Sequence, residues 1–135
     1  MRELINGLYT LFNSQVEGHS ALYNTLADDD DSITYPFVVM SIIDNVKAEA
    51  PFGETWEEYL IQFAIYSDDS QCEDAVDIYE SIKTALDEND SALTVSGYRV
   101  NWLDRTGAAN LIRIEDEGKL IWQLTCQYTV QVEKN

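Results

Sequence analysis

The last stretch of the chain, Lys119 to Glu133, alternates between apolar and polar positions with the period of a β-strand. The apolar parity comprises Leu120, Trp122, Leu124, Cys126, Tyr128, Val130 and Val132. The other parity is polar and rich in Gln and Thr, and only Ile121 interrupts it. Because successive side chains of a strand point to opposite faces, the pattern predicts one buried apolar face and one polar, nearly uncharged face. Such a strand is expected at the centre of a small antiparallel sheet.

Two further strands are predicted in the middle of the chain. Residues Phe37 to Val46 are rich in Val and Ile on both parities, which is typical of a strand that is covered on both faces for part of its length. The polar stretch Lys47 to Thr55 connects it to a second strand, Trp56 to Tyr66, so that the pair forms a hairpin with a long tip. The aromatic side chain of the tip is expected either to fold back on the sheet or to contact a partner. The tip residues are Pro51, Phe52 and Gly53.

Apolar residues at helical spacing predict two amphipathic helices. The first opens the chain and ends at about Asn13, and Ser20 to Leu26 is compatible with a further short helical turn. The central helix is expected to follow capping residues at Ser67 to Asp69 and to end at about Leu86. Its predicted buried stripe consists of Cys72, Ala75, Val76, Tyr79, Ile82 and Leu86.

The rest of the chain predicts a meander. Two strands, Tyr98 to Leu103 and Asn110 to Ile114, are separated by a break at Thr106-Gly107, and a turn at Asp116 to Gly118 leads into the terminal strand. The order helix, hairpin, helix and meander predicts an α+β fold, in which helices pack on an antiparallel sheet. At 135 residues the chain is expected to form a single domain, 1–135.

Charge narrows the range of functions. Asp and Glu total 25 against eight Lys and Arg, which gives a formal net charge of −17. This balance argues against a protein that grips nucleic acid, although it suits one that nucleic acid must pass. No apolar run approaches a membrane span, and the first residues lack the basic head of a signal peptide, so no membrane partner is expected. Cys72 and Cys126 are expected to be buried free thiols in a reducing cytosol.

No set of residues has the spacing of a catalytic, cofactor or metal site. His19 is the only histidine, and its polar surroundings predict a surface side chain rather than a general base. The acidic run Asp28 to Asp31 lacks the alternating ligands and the turn glycine of a calcium loop, which favours a solvated loop. The paired acids Glu57 and Glu58 are expected at a solvated strand end. We therefore expect a non-enzymatic protein without cofactor or metal, and a metal-dependent hydrolase that uses clustered acids is the weaker alternative.

Several segments of the chain occur in a characteristic order between Tyr35 and Glu133. They are YPFVVMSI, a hairpin with a Phe-Gly tip, WEEYLIQFAIYSDD, an amphipathic helix from Gln71, GYRV, and EDEG before a closing aromatic strand. In order and spacing they resemble the tail-terminator proteins of long-tailed bacteriophages, which are also called tail-completion or head–tail joining proteins. The resemblance implies a small α+β subunit of a six-fold ring, without a catalytic motif. Such a ring caps the finished tail tube, ends its polymerisation and presents a docking face to the head completion complex.

The same resemblance implies the partners and the location. The partners are further copies of the chain in a hexamer, a tail tube protein and a head completion or connector protein, while DNA passes through the ring without specific binding. The location is the head-proximal end of the virion tail, after assembly in the cytoplasm of the host bacterium. The alternative from another class is an acidic inhibitor that mimics DNA. It needs carboxylates spaced like phosphates on one face, whereas the terminal strand carries Gln and Thr there.

A ring of like-charged subunits needs opposite charges at its contacts. The predicted meander carries Arg99, Arg105 and Arg113, and the central helix carries Glu73, Asp77, Glu80 and Asp87 on one face. We predict that the meander of one subunit faces the helix of the next, a pairing that a single chain cannot satisfy alone, with Arg105 favoured to cross the interface. The hairpin tip at Pro51, Phe52 and Gly53 is predicted to contact a neighbouring subunit or the tail tube.

Overall fold

The fold consists of a five-stranded sheet and two helices in the part of the chain that the computed structural model describes, residues 2–19, 21–24, 34–49, 55–87 and 91–135. The helices are α1 (Arg2–Gln15) and α2 (Glu73–Leu86). The strands are β1 (Leu22–Asn24), β2 (Phe37–Glu49), β3 (Thr55–Ser67), β4 (Tyr98–Asp116) and β5 (Lys119–Lys134). The predicted α+β class is confirmed.

The strands are arranged in the order β1-β2-β3-β5-β4. All neighbouring pairs are antiparallel except β1 with β2, which are parallel. β5 is an interior strand that pairs with β3 on one side and β4 on the other, as the alternation of its sequence predicts. The chain therefore runs from α2 to the outer edge of the sheet before it returns between β4 and β3. The last strand inserts next to β3, which gives it the central position that its sequence predicts.

Both helices pack on one face of the sheet and form the core with it. The apolar parity of β5 is buried from Leu124 to Val132, and its cross-strand neighbours Phe63 and Ile65 on β3 are fully buried on the same face. The ring of Phe12 on α1 lies 4.9 Å from that of Phe63, centroid to centroid. These contacts leave the opposite face of the sheet without a helix among the described residues.

The N-terminal segment and the outer strand differ from the sequence predictions. Leu22 to Asn24 form a short strand instead of a helical turn, because they pair in parallel with Val38 to Met40 of β2. The predicted strands at residues 98–103 and 110–114 are one continuous strand, β4. Its register with β5 shifts between Thr106 and Asn110, so Gly107, with φ +71°, lies in a bulge and does not end the strand.

The start of α2 also differs from the prediction. The predicted cap residue Ser67 is instead the last residue of β3, where it is fully buried and pairs with Trp122. The N-cap position is occupied by Cys72, which has a left-handed conformation (φ 52°) and makes no capping hydrogen bond through its side chain. Val76, which was predicted to be buried, is 37% exposed. The buried stripe is Ala75, Ile78, Ile82, Ala85 and Leu86.

The β4–β5 connection agrees with the predicted turn. Glu117 and Gly118 both have positive φ, 51° and 78°, as in the tight turns whose twist matches that of antiparallel strands. Beyond this turn the ladder is regular from Asp116 and Lys119 back to Asn110 and Thr125. The end of the hairpin is thus an ordered part of the sheet.

Candidate interaction surfaces

Arg105 has partners within its own chain. It lies opposite Tyr128 in the β4–β5 ladder, on the face that carries α2. Its Nη1 donates to the Tyr79 hydroxyl over 2.7 Å, and its Nε is 3.4 Å from Oδ2 of Asp87 at the end of α2. The Tyr128 hydroxyl donates to Oδ1 of the same carboxylate over 2.6 Å. The premise that a single chain cannot pair this arginine with a helix acid is therefore wrong.

The other two arginines of β4 differ in their surroundings. Arg99 forms an ion pair with Glu133, its ladder neighbour on β5. Arg113 is exposed, and its guanidinium carbon lies 5.5 Å from the centre of the Trp122 ring. Among the described residues no carboxylate lies within ion-pair distance of Arg113. At least one of the three arginines was predicted to cross an interface, with Arg105 favoured, and Arg113 is the one left without an acidic partner in this part of the chain.

The acids that were assigned to one helix face have two different environments. Glu73 and Asp77 are exposed, and Glu80 is also exposed while it pairs with Lys83 at 2.8 Å. Asp87 follows the last helical residue and turns toward the sheet, where it binds Tyr128 and Arg105. The outward face of α2 therefore presents a mainly acidic surface that lacks Asp87.

Two other predicted features lie outside the described residues. They are the hairpin tip at Pro51, Phe52 and Gly53 and the acidic run Asp28 to Asp31. The predictions for these segments remain as they stand.

The helix-free face of the sheet is covered with amide and hydroxyl side chains that bond across strands. Gln127 donates to Gln62 over 3.3 Å, and Gln131 donates to Glu58 over 3.0 Å. Gln123 donates to the Tyr66 hydroxyl over 2.9 Å. These contacts account for the polar parity of β5, because each Gln finds its partner on β3. The centre of this face is polar and nearly uncharged, as the sequence predicts.

Exposed aliphatic residues on the strands were missed by sequence reasoning. Ile43 on β2 is 48% exposed, and Leu111 and Ile112 on β4 are 40% and 42% exposed. Leu120 on β5 is 45% exposed. The sequence did contain a signal for these exposed residues. The predicted strand Asn110 to Ile114 is apolar on both parities, although only one face of this part of the sheet can be covered by the helices. Such residues at a sheet edge are candidates for contact with another chain.

The described residues hold no arrangement that suggests catalysis or metal binding. They contain no group of three or more His, Cys, Asp or Glu side chains that could hold a metal ion. His19 is half-buried and edge-on to Phe12, so the surface position predicted for it is wrong. Burial lowers the pKa of His19, and a hydrogen bond with the Val16 backbone partly offsets this effect. Its Nδ1 is buried without a hydrogen-bond partner in this part of the chain.

One cleft of the described part lies between α1 and residues 92–96. It has a volume of about 310 Å³ and is half open to solvent. Its lining is mostly neutral, with Asn6, Thr10 and Thr94 among its polar residues and Glu3 as its only titratable side chain. A general acid and base pair is therefore missing from it. Neither helix of the described chain has the length and apolar character of a membrane span.

The fold is similar to that of a known virion protein. A chain in the solved structure entitled "Virion of native gene transfer agent (GTA) particle" superposes with a TM-score of 0.74. The match covers 93% of this chain and 91% of that chain at 15% sequence identity. This likeness shows the fold. No family model and no curated protein matches the sequence.

Proposed function

We propose that this protein is a structural virion subunit that forms a closed, six-fold ring at the head-proximal end of a phage-type tail. The ring caps the tail tube, ends its polymerisation and provides the docking surface for a head completion or connector protein. The observation that carries this proposal is the likeness, over nearly the whole of both chains, to a chain of the gene transfer agent virion. The order of segments from Tyr35 to Glu133, which resembles that of tail terminators, supports the same role.

The charges of the molecule suit a conduit for DNA. A net charge of −17 disfavours the counterion exchange that tight phosphate binding requires, so DNA passes without being held. The helix-free sheet face carries mainly amide and hydroxyl side chains at its centre, and its Glu58 carboxylate is already bonded to Gln131. A DNA mimic would need a regular array of free carboxylates on one face. The ring therefore accounts for the surface better than the inhibitor does.

A non-enzymatic role fits the way in which the acids are used. Glu57 accepts a hydrogen bond from the Tyr59 hydroxyl, and Asp68 pairs with Lys119 at 3.0 Å. Each of these acids therefore has a structural partner. We infer that the protein acts by assembly and not by chemistry.

Contacts between subunits or with the tail tube are assigned to the charged groups that stay outward. They are Arg113 on β4 and Glu73, Asp77 and Glu80 on α2, while Arg99 and Arg105 contribute after exchange of their intrachain partners. The tip residue Phe52, between Pro51 and Gly53, belongs to the same proposal. Phe52→Ala should weaken assembly while the melting temperature of the monomer stays within about 2 °C, since a side chain reserved for a partner contributes little to its own core. A large loss of monomer stability would assign Phe52 to the core.

The ring is tested by the mass of the native particle. Native mass spectrometry and negative-stain images of the purified protein, over a range of salt concentrations and with the tail tube present, should show closed hexamers. Addition of the protein to polymerising tail tube should stop its growth at substoichiometric amounts. A protein that stays monomeric under every condition, or that instead inhibits a DNA-binding enzyme, would refute the proposal.

A further inference from the structure

Within the described residues, the sheet has a long open edge on each side. β4 is an outermost strand, and β5 is the only strand that pairs with it in this part of the chain. On the opposite side, β1 covers only Val38 to Met40 of β2, so β3 is the only described strand that pairs with residues 41–49 of β2. Each of these edges presents a row of backbone N–H and C=O groups that have no ladder partner on the outer side among the described strands.

The second half of β4 lacks most of the features that prevent an edge strand from pairing with a strand of another chain. Both register shifts of this strand lie before Asn110, and from there to Asp116 the ladder is regular. This segment contains no proline or glycine, and Arg113 is its only basic residue. It exposes Leu111 on the helix-bearing face and Ile112 on the other, so apolar surface flanks the open edge on both sides.

The open part of β2 also carries an exposed isoleucine, although it contains a bulge. Ile43, in the bulge between Ile42 and Asp44, is 48% exposed at this edge. Each edge therefore carries an exposed isoleucine, Ile43 on β2 and Ile112 on β4.

Strand direction agrees with such a contact. β4 runs antiparallel to β5, β5 to β3, and β3 to β2, so β2 and β4 run in opposite directions. When a second copy is placed beside the first in the same orientation, its β2 lies antiparallel to the β4 of the first. The alternation of the sheet then continues across the contact. A contact between two different surfaces repeats head to tail, which is the type that closes into a ring.

We propose that the free edge of β4, centred on its regular segment 110–116, pairs antiparallel with residues 41–49 of β2 in a second copy of this chain. The resulting sheet continues from subunit to subunit. This inference specifies how the subunits of the proposed ring contact one another. It rests on the proposed function only for the closure of the ring, because the edge contact itself needs no tail tube.

Three substitutions of similarly exposed side chains test the contact. Ile112→Lys alters the β4 edge and Ile43→Lys alters the β2 edge, while Leu120→Lys is the control of similar exposure on β5, one strand inside the β4 edge. Each adds one positive charge to a protein of net charge −17, which by itself eases association. Analytical ultracentrifugation should show the association constant lowered about tenfold or more by either edge variant, because the contact would bury an unpaired charge, and little changed by Leu120→Lys.

Mixing the two edge variants gives a result that is specific to unlike edges. The β4 edge is intact in Ile43→Lys and the β2 edge is intact in Ile112→Lys, so the mixture should form a one-to-one dimer that grows no further. Each variant alone should stay monomeric. Hydrogen exchange should show that residues 41–49 and 110–116 gain protection when the parent assembles.

The outcomes separate this contact from the ring. If the parent forms closed rings and both edge variants do so equally well, or if both segments exchange as fast in the ring as in the monomer, the edge contact is refuted and the ring stands. Open filaments with both edges protected support the contact and refute the closed ring. Dimers of Ile43→Lys alone would show that two β4 edges pair with each other, and a parent that never associates would refute both.

Discussion

The hydroxyl of Tyr128 joins the centre of the sheet to the end of α2, and its removal tests whether this contact stabilises the fold. The side chain is fully buried on β5, and the hydroxyl donates to Asp87 over 2.6 Å. Asp87 follows the last residue of α2, and its backbone N–H bonds to the carbonyl of Lys83. Tyr128→Phe deletes the donor while it keeps the ring that packs edge-on against Phe63.

The expected loss follows from the nature of the acceptor. A hydrogen bond to a charged group contributes about 1.5–3 kcal/mol, more than one between neutral groups. The side chain of Asp87 is 29% exposed and keeps Arg105 at 3.4 Å, so water and the guanidinium replace part of the lost bond. We therefore expect Tyr128→Phe to lower the free energy of unfolding by about 1–2 kcal/mol. For a domain of this length that corresponds to a fall in melting temperature of about 3–7 °C.

Chemical denaturation of the monomer, read by circular dichroism, measures this loss. The control is Tyr9→Phe, because Tyr9 is partly buried and packs against the core but its hydroxyl has no hydrogen-bond partner in the described chain. The loss of stability in this variant should stay within about 0.5 kcal/mol. A double-mutant cycle with Asp87→Ala should give a coupling of about 1 kcal/mol. A loss for Tyr128→Phe no larger than that of the control, or a coupling near zero, would refute the reasoning.

The same contact predicts a dependence on pH. Burial, and then the Asp87 carboxylate, raise the pKa of Tyr128 above its ordinary value of 10.0. Above pH 10 the tyrosine of the unfolded chain ionises while the folded one stays neutral, so stability that is fully present below pH 10 is lost as the pH rises. Since Tyr128→Phe lacks this group, the difference in stability between parent and variant should shrink between about pH 9 and pH 11. A constant difference across that range would contradict the assigned shift.

Other predictions follow from single positions. Gly7→Ala should destabilise the monomer by about 1–2 kcal/mol in thermal melts, although alanine normally favours a helix, because its Cβ would lie 2.3 Å from the carbonyl oxygen of Thr94; an unchanged melting temperature would contradict this. Burial raises the pKa of the Cys126 thiol to about 12, so this thiol should react with Ellman's reagent only after unfolding. Arg113→Glu should weaken assembly at least about tenfold in ultracentrifugation, whereas Lys134→Glu, with the same change of charge, should not; equal effects would point to net charge alone.

The sequence predicts best those elements in which the hydrophobic pattern extends over many residues and the two faces differ in polarity. β3 was expected at Trp56 to Tyr66 and spans Thr55–Ser67, and the parity of β5 matches its burial from Leu124 to Val132. Short elements depend on their neighbours instead. Leu22 to Asn24 are a strand because β2 offers them a parallel partner, and no local pattern in three residues can reveal that.

The order of the strands could not be predicted from local sequence patterns for a related reason. The chain that leaves α2 passes over β5 and pairs at the outer edge, and the sequence of β4 does not state which neighbour it will find. A glycine between two apolar runs usually signals a break, but Gly107 is accommodated in a bulge because β5 continues opposite it. The stripe of α2 was misplaced at Val76 because the pattern fits two adjacent helical faces. Ile78 and Ala85 were missed for the same reason.

The contacts of the three arginines on β4 explain why the candidate interface could be predicted only in part. Composition shows that cations are scarce, with eight against 25 acids, and at least one arginine of β4, Arg105 above all, was expected to cross to a neighbour. Two of these arginines instead have an acid of the same chain beside them. Arg99 finds Glu133 across the ladder and Arg105 finds Asp87 below α2, contacts that depend on register and helix length. Arg113 lies opposite Trp122 in the ladder and faces its aromatic ring instead of an acid. The arginine most available to a second copy is therefore decided by strand register and tertiary packing, which charge patterning alone does not reveal.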